Sequence, residues 1–203
     1  MGFFGGLFGA IGSALGAIGG AIATALGALG PQGLFLVGGL ISSVIGALLG
    51  DKEAPEELGE KVLQAEERGI GKQNDESFAD ARKRFDEFDI DPEKKHDPEL
   101  AKRVGLGFQI QCGAEQGKDI SDFAMAAIKL FNTDSLDENV FKKLIAMTTN
   151  TTELNDIGKM INGKLESHDL INQCTDRLAQ AEKAANPNLS DNDAYREALK
   201  YRT

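Results

Sequence analysis

The first fifty residues place the strongest constraint on this chain, because they contain no Asp, Glu, Lys, Arg or His. They also hold fifteen of the 24 glycines, which makes an ordinary soluble helix a poor account of them. Each interior glycine costs a helix in water about 1 kcal/mol relative to alanine. In lipid, small residues let helices approach closely, and backbone amides must pair within the protein. The composition therefore predicts a membrane-inserting helical segment over residues 1–50.

Small residues recur at helical spacing in this segment and predict two smooth packing faces. The predicted helix-packing positions are Gly2, Gly6, Gly9, Gly12, Gly16, Gly20 and Gly27 in the first run, and Gly38, Ser42, Gly46 and Gly50 in the second. Bulky apolar residues follow the same rhythm on the opposite side, as Leu15, Ile22 and Leu26 do in the first run. Between the runs, Gly30 to Gly33 includes a proline and predicts a turn. The pattern indicates a glycine-zipper helical hairpin.

Hydroxyl side chains are the polar groups that such a hairpin could offer to an ion path. They are Ser13, Thr24, Ser42 and Ser43, and we treat them as candidate pore-lining residues. Backbone carbonyls bared by glycine would join them.

Two other interpretations of the segment were weighed. A secretory signal peptide needs a basic leading region, but no basic residue precedes Lys52 and the apolar run is too long. A Gly/Ala-rich hairpin buried in the core of a soluble or viral structural protein stays open, since burial in protein also tolerates charge-free helices.

At Asp51 the composition changes, and the formal net charge of −10 falls wholly on residues 51–203. An acidic surface repels phosphate, so no nucleic-acid partner is expected and attachment to a lipid bilayer must be hydrophobic. Helix starts are predicted at Pro55 and at Asp97-Pro98, with capping boxes at Ser135/Glu138 and Asn150/Glu153. We therefore predict an all-α protein, with residues 51–203 forming a soluble acidic multi-helix bundle.

One of these predicted helices contains several glycines. Gly105, Gly107 and Gly113 lie in the helix that begins at Asp97-Pro98, and they are expected to weaken it.

Residues that could carry chemistry are scattered. Asp86, Asp89, Asp91 and Glu93 fit no register of a calcium-binding EF-hand loop, so no metal is expected. The two histidines are isolated: His96, between charged neighbours, is expected in a solvated loop, and His168 near a helix start. Cys112 and Cys174 lie among apolar residues at helical spacing and predict buried free thiols. We expect neither a cofactor nor an enzyme.

The spacings Gly12, Gly16, Gly20 and Ser42, Gly46, Gly50, joined to an acidic helical part, resemble the glycine-zipper pore-forming effectors of bacterial type VI secretion systems. The resemblance implies an antibacterial toxin that is secreted by a specialised apparatus and acts at the target cell inner membrane. It implies self-association in the membrane, ion-conducting pores and loss of membrane potential. The expected partners are the ring-shaped secretion tube protein as carrier and a cognate immunity protein.

An alternative belongs to another functional class. A bacteriophage or injection-machine structural protein could use the same hairpin as a packed assembly element, or eject it to form a conduit.

Overall fold

The computed structural model describes the backbone of residues 3–202 and the side chains of residues 14–202. All regular structure in this part of the chain is helical, which confirms the all-α fold class. The α-helices are α1 (Phe3–Gly27), α2 (Gly30–Val44), α3 (Pro55–Glu67), α4 (Phe78–Asp86), α5 (Pro98–Glu115), α6 (Ser121–Asn132), α7 (Glu138–Met147), α8 (Thr151–Ile161), α9 (His168–Ala185) and α10 (Asp191–Leu199). A π-helical turn, Ile45–Leu49, continues α2, and a short 3-10 turn, Pro92–Lys94, precedes α5.

The turn predicted over Gly30 to Gly33 is wrong. The chain turns at Ala28 and Leu29, and Gly30 to Gly33 begin α2. Pro31 is tolerated there because the first amides of a helix have no carbonyl partner within it.

Predicted capping residues start several of these helices. The Asp97 carboxylate accepts hydrogen bonds from the amides of Glu99 and Leu100 at the start of α5. The Asn150 side chain accepts from the Glu153 amide at the start of α8. Each cap satisfies amides that have no partner inside the helix. These starts are confirmed, as is the start of α3 at Pro55.

The predicted capping box at Ser135 is wrong. Asp137 caps α7 instead, since its carboxylate accepts from the amides of Asn139 and Val140 at 2.9 and 3.2 Å. The Ser135 hydroxyl donates to the Thr133 carbonyl oxygen, within the preceding turn. Asp and Ser are both common helix-capping residues, so the local sequence offers two possible caps, Ser135 and Asp137, two residues apart.

Helix α5 lies between α1 on one side and α3 on the other. A Cβ atom at Gly105 would lie 1.8 Å from the Pro55 carbonyl oxygen, and one at Gly59 would lie 1.7 Å from that of Ala101. On the other side, a Cβ atom at Gly107 would lie 2.5 Å from the Gly19 carbonyl oxygen. Two of the glycines expected to weaken α5, Gly105 and Gly107, are therefore the places where the backbones of α3 and α1 touch it, whereas Gly113 faces the Leu49 side chain.

Two apolar clusters form the core, and the N-terminal hairpin contributes to both. One joins Ala14 and Leu15 of α1 to buried residues of α3, α4 and α5, including Phe108. The larger one joins the end of α1 and most of α2 to α5 through α10. The hairpin and residues 51–203 thus bury apolar surface against each other.

We expect Gly105→Ala to lower the free energy of unfolding by about 2 kcal/mol, because the new methyl group would overlap backbone that cannot rotate away. Gly39→Ala is the matched control, since a Cβ atom there meets nothing within 4 Å. The control should be neutral or stabilising by up to about 1 kcal/mol. Urea denaturation measures both, and equal effects of the two substitutions would contradict the packing described here.

Candidate membrane-inserting hairpin

The bulky side of the hairpin faces the rest of the protein. Fully buried members are Leu15, Ile22 and Leu26 of α1 and Val37, Ile41 and Val44 of α2. Those of α2 share a cluster with Leu106 of α5, Phe123 of α6 and Phe141 of α7. From residue 14 onwards, the chain therefore covers most of its own bulky apolar stripe.

The outward side of the hairpin carries no charge. Exposed positions between residues 14 and 50 are Ala17, Ala21, Thr24, Ala28, Pro31, Gln32, Phe35, Ser43, Gly46, Ala47 and Gly50. Phe35 is the extreme case, with 79% of its surface exposed. A core helix of a soluble protein normally places charged or strongly polar residues on its solvent face. Here small residues, Phe35 and the uncharged Gln32 occupy that face.

Residues Gly30–Leu49 form a continuous helical stretch of 20 residues with a mean hydropathy of 1.9, long and apolar enough to cross a membrane. About 44% of the stretch is buried inside the protein. A buried soluble helix meets the same length and composition criterion, so the character of the exposed face distinguishes the two interpretations.

The soluble packing uses some predicted zipper positions and leaves others open. A Cβ atom at Gly38 would lie 3.3 Å from Leu106 Cδ1, so Gly38 faces α5. Gly27 lies against the Arg103 guanidinium. Gly20 is half-buried, whereas Gly46 and Gly50 are exposed. The remaining predicted positions, Gly2, Gly6, Gly9 and Gly12, precede the residues whose side-chain environment is described. Packing of these positions within a membrane stays a prediction.

Gly19 was missed by the spacing argument, although it makes the closest backbone contact of α1. A Cβ atom there would lie 2.4 Å from the Gly107 carbonyl oxygen. Gly19 follows the predicted zipper position Gly16 by three residues, so the same small-residue rhythm could have found it.

Gly16 interrupts α1. Its backbone angles, φ 65° and ψ 179°, lie outside the helical region and in a part of conformational space that favours glycine. The Gln111 side-chain oxygen of α5 accepts hydrogen bonds from the amides of Ile18 and Gly19, at 3.1 and 3.2 Å. A side chain from the protein body thus caps the second half of α1.

The candidate pore-lining hydroxyls do not converge in this structure. Thr24 donates to the Gly20 carbonyl oxygen at 2.8 Å, and Ser43 donates to that of Gly39 at 2.9 Å. Both bonds stay within their own helices, and both residues are exposed. Ser42 lines a cavity of about 340 Å³ beside Asp51 and Gln109. The Ser13 side chain lies outside the described part of the chain. A pore lined by these groups stays a prediction.

Ion pairs fasten the chain where the hairpin meets the acidic part. Arg82 of α4 donates through Nη1 and Nη2 to both carboxylate oxygens of Asp51, at 2.9 and 3.2 Å. It also pairs with Glu53 and with Asp86, while Lys61 Nζ lies 2.9 Å from Glu53 Oε1. These partly buried ion pairs anchor residues 51–53 directly after the apolar segment.

His96 lies in a loop between the 3-10 turn and α5, as expected, but the expectation that it is solvated is wrong. Its side chain is 13% exposed, with Nδ1 2.9 Å from Glu60 Oε1 and Nε2 3.1 Å from Glu67 Oε1. Burial lowers the pKa of His96, but hydrogen bonds and charge from the two glutamates outweigh it, so the pKa is raised. The glutamates lie about thirty residues earlier on α3, beyond the reach of a local pattern. His168 is the first residue of α9, as expected.

Both cysteines are free thiols, as predicted; Cys174 is buried, whereas Cys112 is only half-buried. Burial raises the pKa of Cys112 to about 12 and that of Cys174 to about 11, so both stay protonated at neutral pH. Within the described residues, no group of His, Cys, Asp and Glu side chains is arranged to hold a metal ion. Of the four acidic residues considered for calcium, Asp86 pairs with Arg82 and Asp91 caps the 3-10 turn.

Comparisons with known proteins found no matching family model, no matching curated protein and no matching solved structure.

We expect the contribution of His96 to stability to depend on pH. Because its folded pKa is raised, protonation favours the folded state, and the benefit is fully present below the ordinary histidine pKa of about 6.5 and lost as pH rises through the folded value. Urea denaturation of His96→Gln should therefore show a larger loss of stability near pH 6 than near pH 9. His168→Gln, at an exposed site, is the control. A pH-independent effect of His96→Gln would contradict this assignment.

Proposed function

We propose that this protein is a secreted antibacterial pore-forming toxin. A glycine-zipper hairpin, residues 1–50, inserts into the inner membrane of the target cell, while an acidic multi-helix bundle, residues 51–203, stays outside the lipid. The observation that carries the proposal is the charge-free exposed face of α1 and α2, in which Phe35 is 79% exposed. A face without charge is compatible with a bilayer, where its small residues let neighbouring helices approach closely.

In the proposed membrane state, smooth faces pack helix against helix and bulky residues turn towards lipid. Small residues permit this close approach in a bilayer, where packing and not the hydrophobic effect drives association. Several copies would surround a narrow path lined by hydroxyls and bared carbonyls. The acidic bundle at the mouth would favour cations over anions. Small ions would then cross and dissipate the membrane potential.

Delivery and self-protection follow from the resemblance to type VI effectors. We propose the ring-shaped secretion tube protein as carrier and a cognate immunity protein as inhibitor. The exposed apolar face of the hairpin supports a need for a carrier, because such surfaces aggregate when left uncovered.

A second candidate is the structural protein of a phage or injection machine. The observation that favours it is burial of most of the bulky stripe among the described residues, as at Ile22 and Val37, within a core shared with α5, α6 and α7. A permanent assembly element would keep that packing.

Single-channel recording across a planar lipid bilayer distinguishes the pore-forming toxin from the structural protein. A comparison of Gly46→Leu with Gly39→Leu in the same experiment tests the zipper packing. Both glycines lie on the second helical run, and an added Cβ atom meets nothing closer than 3.8 Å at Gly46 and nothing within 4 Å at Gly39. Both variants should therefore fold in solution and gain the same apolar side chain. Gly46 is a zipper position and Gly39 is not, so only Gly46→Leu should force the membrane helices apart.

We expect discrete conductance steps from the natural chain and Gly39→Leu, and loss of at least about 90% of events in Gly46→Leu, a tenfold change that corresponds to about 1.4 kcal/mol of packing free energy. Equal conductance in both variants would contradict the zipper. A silent bilayer, with the protein shown by flotation to have reached the lipid, would contradict the pore and favour the structural candidate.

A further inference from the structure

The interruption at Gly16 makes α1 too short to cross a membrane in its present shape. The segments on either side, residues 3–15 and 17–27, contain thirteen and eleven residues. At about 1.5 Å per residue they extend about 20 and about 17 Å, well below the hydrocarbon thickness of about 30 Å. Without the interruption, the 25 residues of α1 would extend about 37 Å. One backbone residue therefore separates a non-spanning helix from a spanning one.

The interruption is stabilised from outside α1. A helix that restarts after Gly16 leaves the amides of its first turn without carbonyl partners. Gln111 of α5 supplies the acceptor for two of them, Ile18 and Gly19. This contact requires α1 and α5 to lie close together, which the Gly19–Gly107 approach provides.

Space and conformation both require glycine at position 16. A Cβ atom there would lie 2.8 Å from Gln111 Cδ and 2.9 Å from Phe78 Cζ. Its φ of 65° is one that L-residues rarely adopt. The left-handed conformation of Gly16 and the position of the Gln111 side chain beside it therefore depend on each other.

Lipid offers no replacement for Gln111. An amide without a partner in the hydrocarbon region costs several kcal/mol, so an interrupted α1 would be strongly disfavoured there. A continuous helix removes that cost, because the carbonyls of α1 itself then accept from these amides.

We propose that Gln111 and Gly16 form a conformational latch, in which Gln111 holds α1 on α5 in an interrupted, non-spanning shape until release converts α1 into one continuous helix. The consequence in the membrane rests on the proposed function, whereas the latch itself is a property of the protein in water.

Amide hydrogen exchange of the full-length protein tests the latch in solution. Gln111→Met keeps a side chain of similar length without a good acceptor, and Gln111→Glu keeps acceptor oxygens at the same place. We expect the Ile18 and Gly19 amides to exchange about tenfold faster in Gln111→Met, as loss of two net hydrogen bonds implies. Exchange in Gln111→Glu should stay near that of the natural chain. Amides of α6 report whether the remaining fold is intact.

Amide hydrogen exchange of the protein bound to phosphatidylcholine vesicles tests whether α1 becomes one continuous helix in the membrane. There the Ile18 and Gly19 amides should be equally protected in the natural chain and in Gln111→Met, because α1 supplies its own acceptors. Vesicle association of Gln111→Met should also be faster, since its soluble state is less restrained.

Each outcome bears on a different part of the proposal. Unchanged exchange of these amides in soluble Gln111→Met overturns the latch. Faster exchange in solution supports it, even if neither protein binds vesicles, in which case the proposed membrane function fails. Membrane-bound chains whose Ile18 and Gly19 amides remain sensitive to residue 111 would overturn the continuous helix.

Discussion

Close backbone contact between α1 and α5 fixes how the helices around them pack. Gly19 and Gly107 each lie so near the other's carbonyl oxygen that a side chain on either would collide. On its other side α5 meets α3 at Gly105 and Gly59 in the same manner. With three backbones packed this tightly, the larger side chains around them can interdigitate without voids. The hairpin has no charged side chain, so close packing and burial of apolar surface hold it against residues 51–203.

Because the hairpin is held mainly by apolar contacts, its packing against the rest of the protein is stable in water but not in lipid. In water, burial of the bulky stripe against α5, α6 and α7 is driven by the hydrophobic effect. In lipid that driving force disappears, because acyl chains are as apolar as the core. What distinguishes the soluble arrangement is a small number of polar contacts: the Gln111 cap on α1 and the Arg82 ion pairs that hold Asp51 and Glu53. In water, these polar contacts fix α1 on α5 and fix Asp51 and Glu53, at the end of the hairpin, on α4.

Local sequence patterns predicted where helices begin, but they did not predict which distant residues contact each other. Pro55, Asp97 and Asn150 act within one turn of their own position, so their roles could be recognised from neighbouring residues. His96 could not be placed in this way, because its partners lie on α3, far away in sequence. The glycines of α5 show the same limit. Their intrinsic effect on a helix is local and unfavourable, whereas their role in packing depends on which backbone approaches them.

The all-helical fold, the two apolar helical runs before Asp51 and the confinement of charged side chains to residues 51–203 could all be predicted from the sequence. These properties follow from composition and periodicity, which are local quantities. The tertiary structure was needed to show that the bulky side of the hairpin lies in a shared core, that α1 breaks at Gly16 and that Gln111 caps the break. A glycine permits such a break anywhere in the hairpin, but it is stable only where another helix supplies a hydrogen-bond acceptor to the freed amides.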